Sequence, residues 1–171
     1  MRYHCHVNVM GCLMKIDKLS AVAPRRLDDL LGFKLSRLSG LFARHAARDA
    51  LELAGLSLPE YRLLVVLGDM GTAGVVAIQD AMSIDKAWVS RTLGKLVDRQ
   101  FARQSPDDKD ARRVGYSLTP EGRRLASALF KKAVARHAKF FAGISGMEQE
   151  MLFSLLQRVE DNVQAAVEAT T

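Results

Sequence analysis

The chain has 171 residues, 49% of them hydrophobic, and 25 Lys and Arg against 19 Asp and Glu give a formal net charge of +6 at pH 7. That length supports one domain with a core and is short for two, while the positive balance and a pI of about 9.6 favour a polyanionic partner. No apolar run approaches the roughly 20 residues that span a bilayer, and aromatics, at 6%, are not interleaved with the basic residues as a single-strand stacking surface requires, so duplex DNA fits better.

Met1 to Leu13 crowds His4, Cys5, His6 and Cys12 ahead of any periodic pattern. The segment lacks the long apolar centre and small-residue cleavage site of a secretion signal. Met14 reads as an alternative start, so residues 1–20 are expected to be a tail or an upstream extension. The ligand types are soft, but they are not the spaced pairs of a structural zinc site, and no metal or cofactor is assigned. A redox or metal sensor built on the N-terminal Cys and His residues is the alternative that this segment leaves open.

From Leu27 the pattern turns helical. Leu27, Leu31, Leu35, Leu38 and Phe42 recur on one face, with Leu30 and Leu41 beside them and Arg37, Arg44 and Arg48 among the basic residues. A long first helix over about 25–50 is expected. After Gly55, Ser57-Leu58-Pro59-Glu60 reads as a cap with proline in the first turn of a second helix. Thr72-Ala73-Gly74 then leads into Val75 to Met82, the first helix of a helix-turn-helix.

The segment Ser83 to Arg99 places Val89, Leu93, Leu96 and Val97 on one buried helical face. Ser83 or Asp85 can cap its start. The opposite face carries Lys86, Ser90, Arg91 and Lys95, side chains that neutralise phosphates or donate to guanine edges in a major groove. Phe101 to Gln104 and Val114 to Leu118 then read as short strands on either side of a polar loop that opens with Pro106. Two strands around a charged loop make a wing. Asp110 and Arg112 are close enough to pair and stiffen its tip, leaving Arg112 or Arg113 to enter a minor groove.

Thr119-Pro120-Glu121 starts the next helix, with Thr as cap and Pro at the first helical position. Leu125, Leu129, Ala133 and Phe140 continue it, with Arg123, Arg124, Lys131, Lys132 and Arg136 expected outside. After Gly143 to Gly146 a last helix carries Met151, Leu152, Leu155, Leu156, Val159, Val163, Ala166 and Val167 at heptad-like spacing. The apolar helices at both ends exceed what a small winged lobe can cover, and exposed stripes of this size mark association surfaces. Pairing with a second copy about a two-fold axis is the expected solution. No glycine-rich phosphate loop, nucleophile elbow or paired His ligands at helical spacing are present, so no catalytic residue is assigned and the chain is not expected to be an enzyme.

Taken in order, Ile84-Asp85-Lys86-Ala87-Trp88-Val89-Ser90-Arg91, Leu96-Val97-Asp98-Arg99, Asp107-Asp108-Lys109-Asp110-Ala111-Arg112-Arg113 and Leu118-Thr119-Pro120-Glu121-Gly122 resemble the MarR family of bacterial transcription regulators. The resemblance runs from about Leu27 to the C-terminus. It implies a mainly α fold with a small β wing, a winged helix-turn-helix over about 57–119 inside a single domain of 21–171, and dimerisation helices at about 25–50 and 120–169. It also implies that Lys86, Trp88, Ser90, Arg91 and Lys95 lie nearest the DNA, with Asp110 and Arg112 as the wing-tip pair and Arg113 beside them. One position departs from the family pattern: Gln100 stands where relatives commonly place a glycine.

The function implied is a cytoplasmic homodimeric repressor of an inverted-repeat operator in double-stranded DNA, released by a small aromatic or carboxylate-bearing effector. His45, Arg48, Tyr61 and Arg62 are the residues placed to line the effector pocket, with His45 able to meet a carboxylate or phenolate. A basic DNA-binding or architectural protein without any effector is the other reading that the residues allow.

Overall fold

The computed structural model describes residues 24–106 and 114–170. These form α1 (Leu31–Ala54), α2 (Leu58–Met70), β1 (Thr72–Gly74), α3 (Val75–Met82), α4 (Lys86–Asp98), β2 (Ala102–Pro106), β3 (Val114–Leu118), α5 (Pro120–Phe140) and α6 (Gly146–Glu168). The chain divides into two compact units between Arg44 and His45, inside α1.

In the first unit, Leu27–Asp29 is a separate 3-10 turn rather than the first turn of the long helix that the leucine spacing predicted. The Asp29 carboxylate accepts from the backbone N–H groups of Arg25 and Arg26, each at 2.9 Å, and Leu30 is extended with ψ 120°. Helix α1 therefore begins at Leu31. Leu31, Phe33, Leu35, Leu38 and Phe42 are all exposed along it.

The second unit holds the core. Helix α2 opens with the expected cap, and the structure makes it a capping box: the Ser57 N–H donates to the Glu60 carboxylate at 2.9 Å, and the Ser57 hydroxyl donates to the same oxygen. Leu63, Leu64 and Leu67 of α2 pack with Ile78 of α3, Val89, Leu93 and Leu96 of α4, Leu118 of β3 and Leu129 of α5. Burying one such side chain is worth about 1.5–3 kcal/mol, so this cluster carries the stability of the winged lobe.

The wing strands are joined by a third, β1, giving an antiparallel sheet in the order β1-β3-β2. Three residues are too few to show alternation, which is why Thr72 to Gly74 gave no strand signal in the sequence. Ala73 pairs with Tyr116, and Ala102 with Leu118. Ala73, Ala102 and Leu118 are buried, so the inner face of the sheet closes the core.

The choice between Ser83 and Asp85 is resolved. Ser83 ends α3 in the left-handed region at φ 51°, and Asp85 caps α4, its carboxylate accepting from the Trp88 N–H at 2.9 Å. At the other end of α4, Gln100 takes the left-handed turn at φ 60°, a conformation that costs a non-glycine residue about 1–2 kcal/mol. The turn is held by the Gln100 N–H on Val97 O at 2.8 Å and the Phe101 N–H on Leu96 O at 2.9 Å. Thr119 donates its hydroxyl to Gln100 O at 2.8 Å and accepts from the Gly122 N–H at 3.0 Å. A Cβ on Gly122 would sit 1.9 Å from Phe101 O, so only glycine lets α5 approach the exit of α4 this closely.

Helix α6 repeats the start of α2, with Ser145 and Glu148 as its capping box, but none of its residues is buried. No helix among the described residues is long and apolar enough to cross a membrane.

Candidate nucleic-acid interface

The sequence of α4 splits into two faces because Val89, Leu93 and Leu96 recur at helical spacing and are driven into the core. That burial leaves Lys86, Ser90, Arg91 and Lys95 exposed on the other side. Among the described residues none of the three cations has an ion-pair partner. Unpaired guanidinium and ammonium groups on one helical face are what counterion release from a phosphate backbone uses.

Trp88 stands apart from this set. It is half-buried and packs against the core, and its carbonyl accepts from the Thr92 hydroxyl at 2.8 Å. The exposed face instead includes Ala87 and Gly94, neither of which carries a charge. Among the described residues nothing lies within 4 Å of a Cβ added to Gly94, so their packing gives no reason for a glycine there. Asp110, Arg112 and Arg113 lie outside the described residues, as do His4, Cys5, His6 and Cys12; β2 and β3 are paired out to Pro106 and Val114, where that loop begins.

The residues expected to line an effector pocket fall into different environments. His45 is exposed and meets Phe140 edge-on, with ring centroids 5.2 Å apart. Arg48 and Arg62 are exposed. Tyr61 is buried, and its hydroxyl accepts from Arg136 at 3.3 Å. Arg136 also pairs with Asp49, while Lys132 lies 3.7 Å from Asp49 and 3.8 Å from Glu52. Arg136 therefore does not sit outside α5 as the sequence reading had it. The Asp49 and Glu52 carboxylates at the end of α1 draw it and Lys132 inward, linking Tyr61 to the helix turn after His45.

Arg99 stands in the Leu96-Val97-Asp98-Arg99 motif, but the sequence reading gave it no role. Its guanidinium donates to Ala54 O at 2.5 Å, to Gly55 O at 3.1 Å and to the Glu60 carboxylate at 3.1 Å, and lies over the Phe101 ring at 5.1 Å. It holds the last carbonyls of α1, the capping box of α2 and the exit of α4 in one clasp. Burial pushes the Glu60 carboxyl up, but hydrogen bonds from the Ser57 hydroxyl and N–H and from Arg99 outweigh it and hold it below the ordinary glutamate value. Besides its place in that motif, the available signal was a basic residue at the end of an otherwise amphipathic helix, a place where the helix dipole alone would justify it.

The pattern of the MarR family matches residues 56–114. The transcriptional regulator HosA of Escherichia coli O111:H- is 29% identical over 123 residues, which cover 72% of this chain and 91% of HosA. A MarR/EmrR family transcriptional regulator from Acinetobacter sp. ADP1 has a similar structure, with a TM-score of 0.75 at 24% identity over 82% of this chain and 99% of that one. Bordetella bronchiseptica BpsR, whose DNA binding is regulated by 6-hydroxynicotinic acid, gives a TM-score of 0.67 at 25% identity, covering 81% of this chain and 99% of BpsR.

Proposed function

The chain belongs to the MarR family of DNA-binding transcriptional regulators, and from that premise we propose that it is a homodimeric repressor of an inverted-repeat operator, released by a small aromatic or carboxylate-bearing ligand. The unpaired cationic face of α4 carries this reading, since a helix with a buried apolar face and free Arg and Lys opposite fits a major groove. Two such helices related by a two-fold axis meet successive major grooves about one turn, roughly 34 Å, apart. In this reading residues 21–171 act as one domain, and the exposed apolar faces of α1 and α6 are the dimer surface.

Lys86, Ser90, Arg91 and Lys95 supply the groove contacts, Trp88 stiffens the helix from behind, and Asp110, Arg112 and Arg113 form the wing tip. His45, Arg48, Tyr61 and Arg62 receive the effector. Support for an acid ligand comes from BpsR, whose stated regulator is an aromatic acid. To release DNA, such a ligand must favour the dimer whose recognition helices are wrongly spaced, because equal affinity for both states shifts nothing.

Fluorescence anisotropy against the DNA flanking the chain's own gene, at two salt concentrations and with a panel of aromatic acids, tests the whole scheme. Tight, salt-dependent binding that one acid releases is the expected result. Arg91→Ala should cost about 1–3 kcal/mol and relax base choice; a loss equal for all sequences would reduce Arg91 to a phosphate contact.

A further inference from the structure

The outer face of the sheet carries a polar row set by strand register. Thr72 of β1 pairs with Ser117 of β3, which pairs with Arg103 of β2, so these three residues stand side by side across about 10 Å. They face away from the core because their strand neighbours Ala73, Leu118 and Ala102 face into it. Together with Arg123 of α5 they line a cavity of about 230 Å³ that Gly68 and Gly71 also border.

The donors in this cavity are unspent. Arg103 Nε donates to the Ser117 hydroxyl at a long 3.3 Å, and among the described residues both terminal nitrogens of Arg103 and the Ser117 O–H have no partner. Arg123 gives one nitrogen to Leu118 O at 2.7 Å. The Thr72 hydroxyl has no hydrogen-bond partner among the described residues. Among the described residues no carboxylate lines the cavity and neither arginine has an ion-pair partner. Two guanidinium groups and two hydroxyls around a space with no acid make a setting for an oxyanion, because a planar guanidinium matches a carboxylate in a bidentate way. The volume lies below the roughly 300–1,000 Å³ of sites for drug-sized ligands, which limits the occupant to about one ring.

We propose that Thr72, Arg103, Ser117 and Arg123 form an anion site, separate from the α4 face and from His45 and Arg48, that takes the carboxylate of a small acid. An occupant held by both arginines ties β2 to the first turns of α5, at the base from which the wing projects. Its regulatory consequence rests on the effector-gated reading above; its binding does not.

The test is a titration of the ¹⁵N-labelled full chain with benzoate, with neutral benzamide as the control. Benzoate should move the Thr72, Arg103 and Ser117 amide signals saturably, and benzamide should not. Arg103→Gln should weaken benzoate by at least about tenfold, Arg103→Lys and Ser117→Ala by less, and Lys131→Gln not at all. Circular dichroism melts show that each variant is folded, so the result does not depend on Arg123, whose bond to Leu118 O is structural. Shifts that fail to saturate, or that survive Arg103→Gln, would overturn the site. So would an operator salt slope lower by about one in Arg103→Gln with benzoate binding unchanged, since that assigns the guanidinium to a DNA phosphate. If benzoate seats here while no acid releases the operator, the effector-gated reading fails and the site stands.

Discussion

Helices α2 and α6 are built from the same parts and end in opposite environments. Each starts with a Ser-x-x-Glu capping box, Ser57 with Glu60 and Ser145 with Glu148, and each repeats Leu and Val at helical spacing. In α2, Glu60, Tyr61, Leu63, Leu64 and Leu67 are buried, whereas α6 has no buried residue. Periodicity thus specifies which side of a helix is apolar, while burial depends on whether another surface arrives. For α2 it arrives within the chain, from α4, α5 and the sheet. For α6 the proposed second copy must bring it.

The largest effect that sharpens this contrast is expected in α2. Leu64→Ala should lower stability by about 2–5 kcal/mol, because the fully buried site cannot collapse completely around the missing atoms. Thermal melts measure the loss, and light scattering should still report a dimer. In α6, Leu155→Glu should leave the winged lobe folded by circular dichroism but reduce the particle to a monomer. Operator affinity should then fall by at least about 100-fold as the second half-site contact is lost. A dimer that survives Leu155→Glu would remove α6 from the interface.

A smaller effect separates the two capping boxes. Arg99→Met leaves the Glu60 carboxylate buried beside Ser57 alone, and should cost roughly 1–3 kcal/mol by chemical denaturation. Both Glu60 and Glu148 have lowered pKa values in the folded chain, Glu148 through its hydrogen bonds from Ser145. The stability they contribute is present above the unfolded glutamate value and is lost as pH falls through the lower folded one. Glu60→Gln should therefore flatten the acid limb of a stability–pH curve more than Glu148→Gln does, since Glu148 is fully exposed to solvent screening.

The smallest expected effect has a diagnostic sign. Gly94→Ala fills open space on the exposed face of α4 and should stabilise the helix by about 0.5–1 kcal/mol. If α4 lies deep in a groove with its backbone near the DNA, the same methyl group should weaken operator binding, so melting temperature and affinity move in opposite directions. Equal or tighter binding would show that the helix is held away from the groove floor at this position.

Much of the fold was legible because its signals are local. Proline after Thr119, aspartate before Lys86 and a 3.6-residue apolar period each act within one or two turns, and each element they announced is present. The turn at Gln100 was also legible as a departure from the family's glycine, and its positive φ shows the chain keeping the turn at a cost. The start of α1 was misplaced because Leu27 and Leu30 fit the helical period while Asp29 caps a 3-10 turn instead. The strand β1 was invisible because its partner lies more than 40 residues away in sequence.

The exposed cations of α4 were readable for the same local reason, since a buried stripe on α4 defines its opposite face. What the residues alone determined is the set of helices, their apolar sides, the wing strands and the sign of the charge presented to a partner. Only the tertiary structure decided that Arg136 and Lys132 turn inward to Asp49, that Arg99 clasps Ala54, Gly55 and Glu60, and that Thr72, Ser117 and Arg103 share one row. Those pairings join residues separated by 14 to 87 positions. Cross-strand register, core closure and the desolvation of an ion pair are properties of surfaces that meet in space, and no local period records which surfaces will meet.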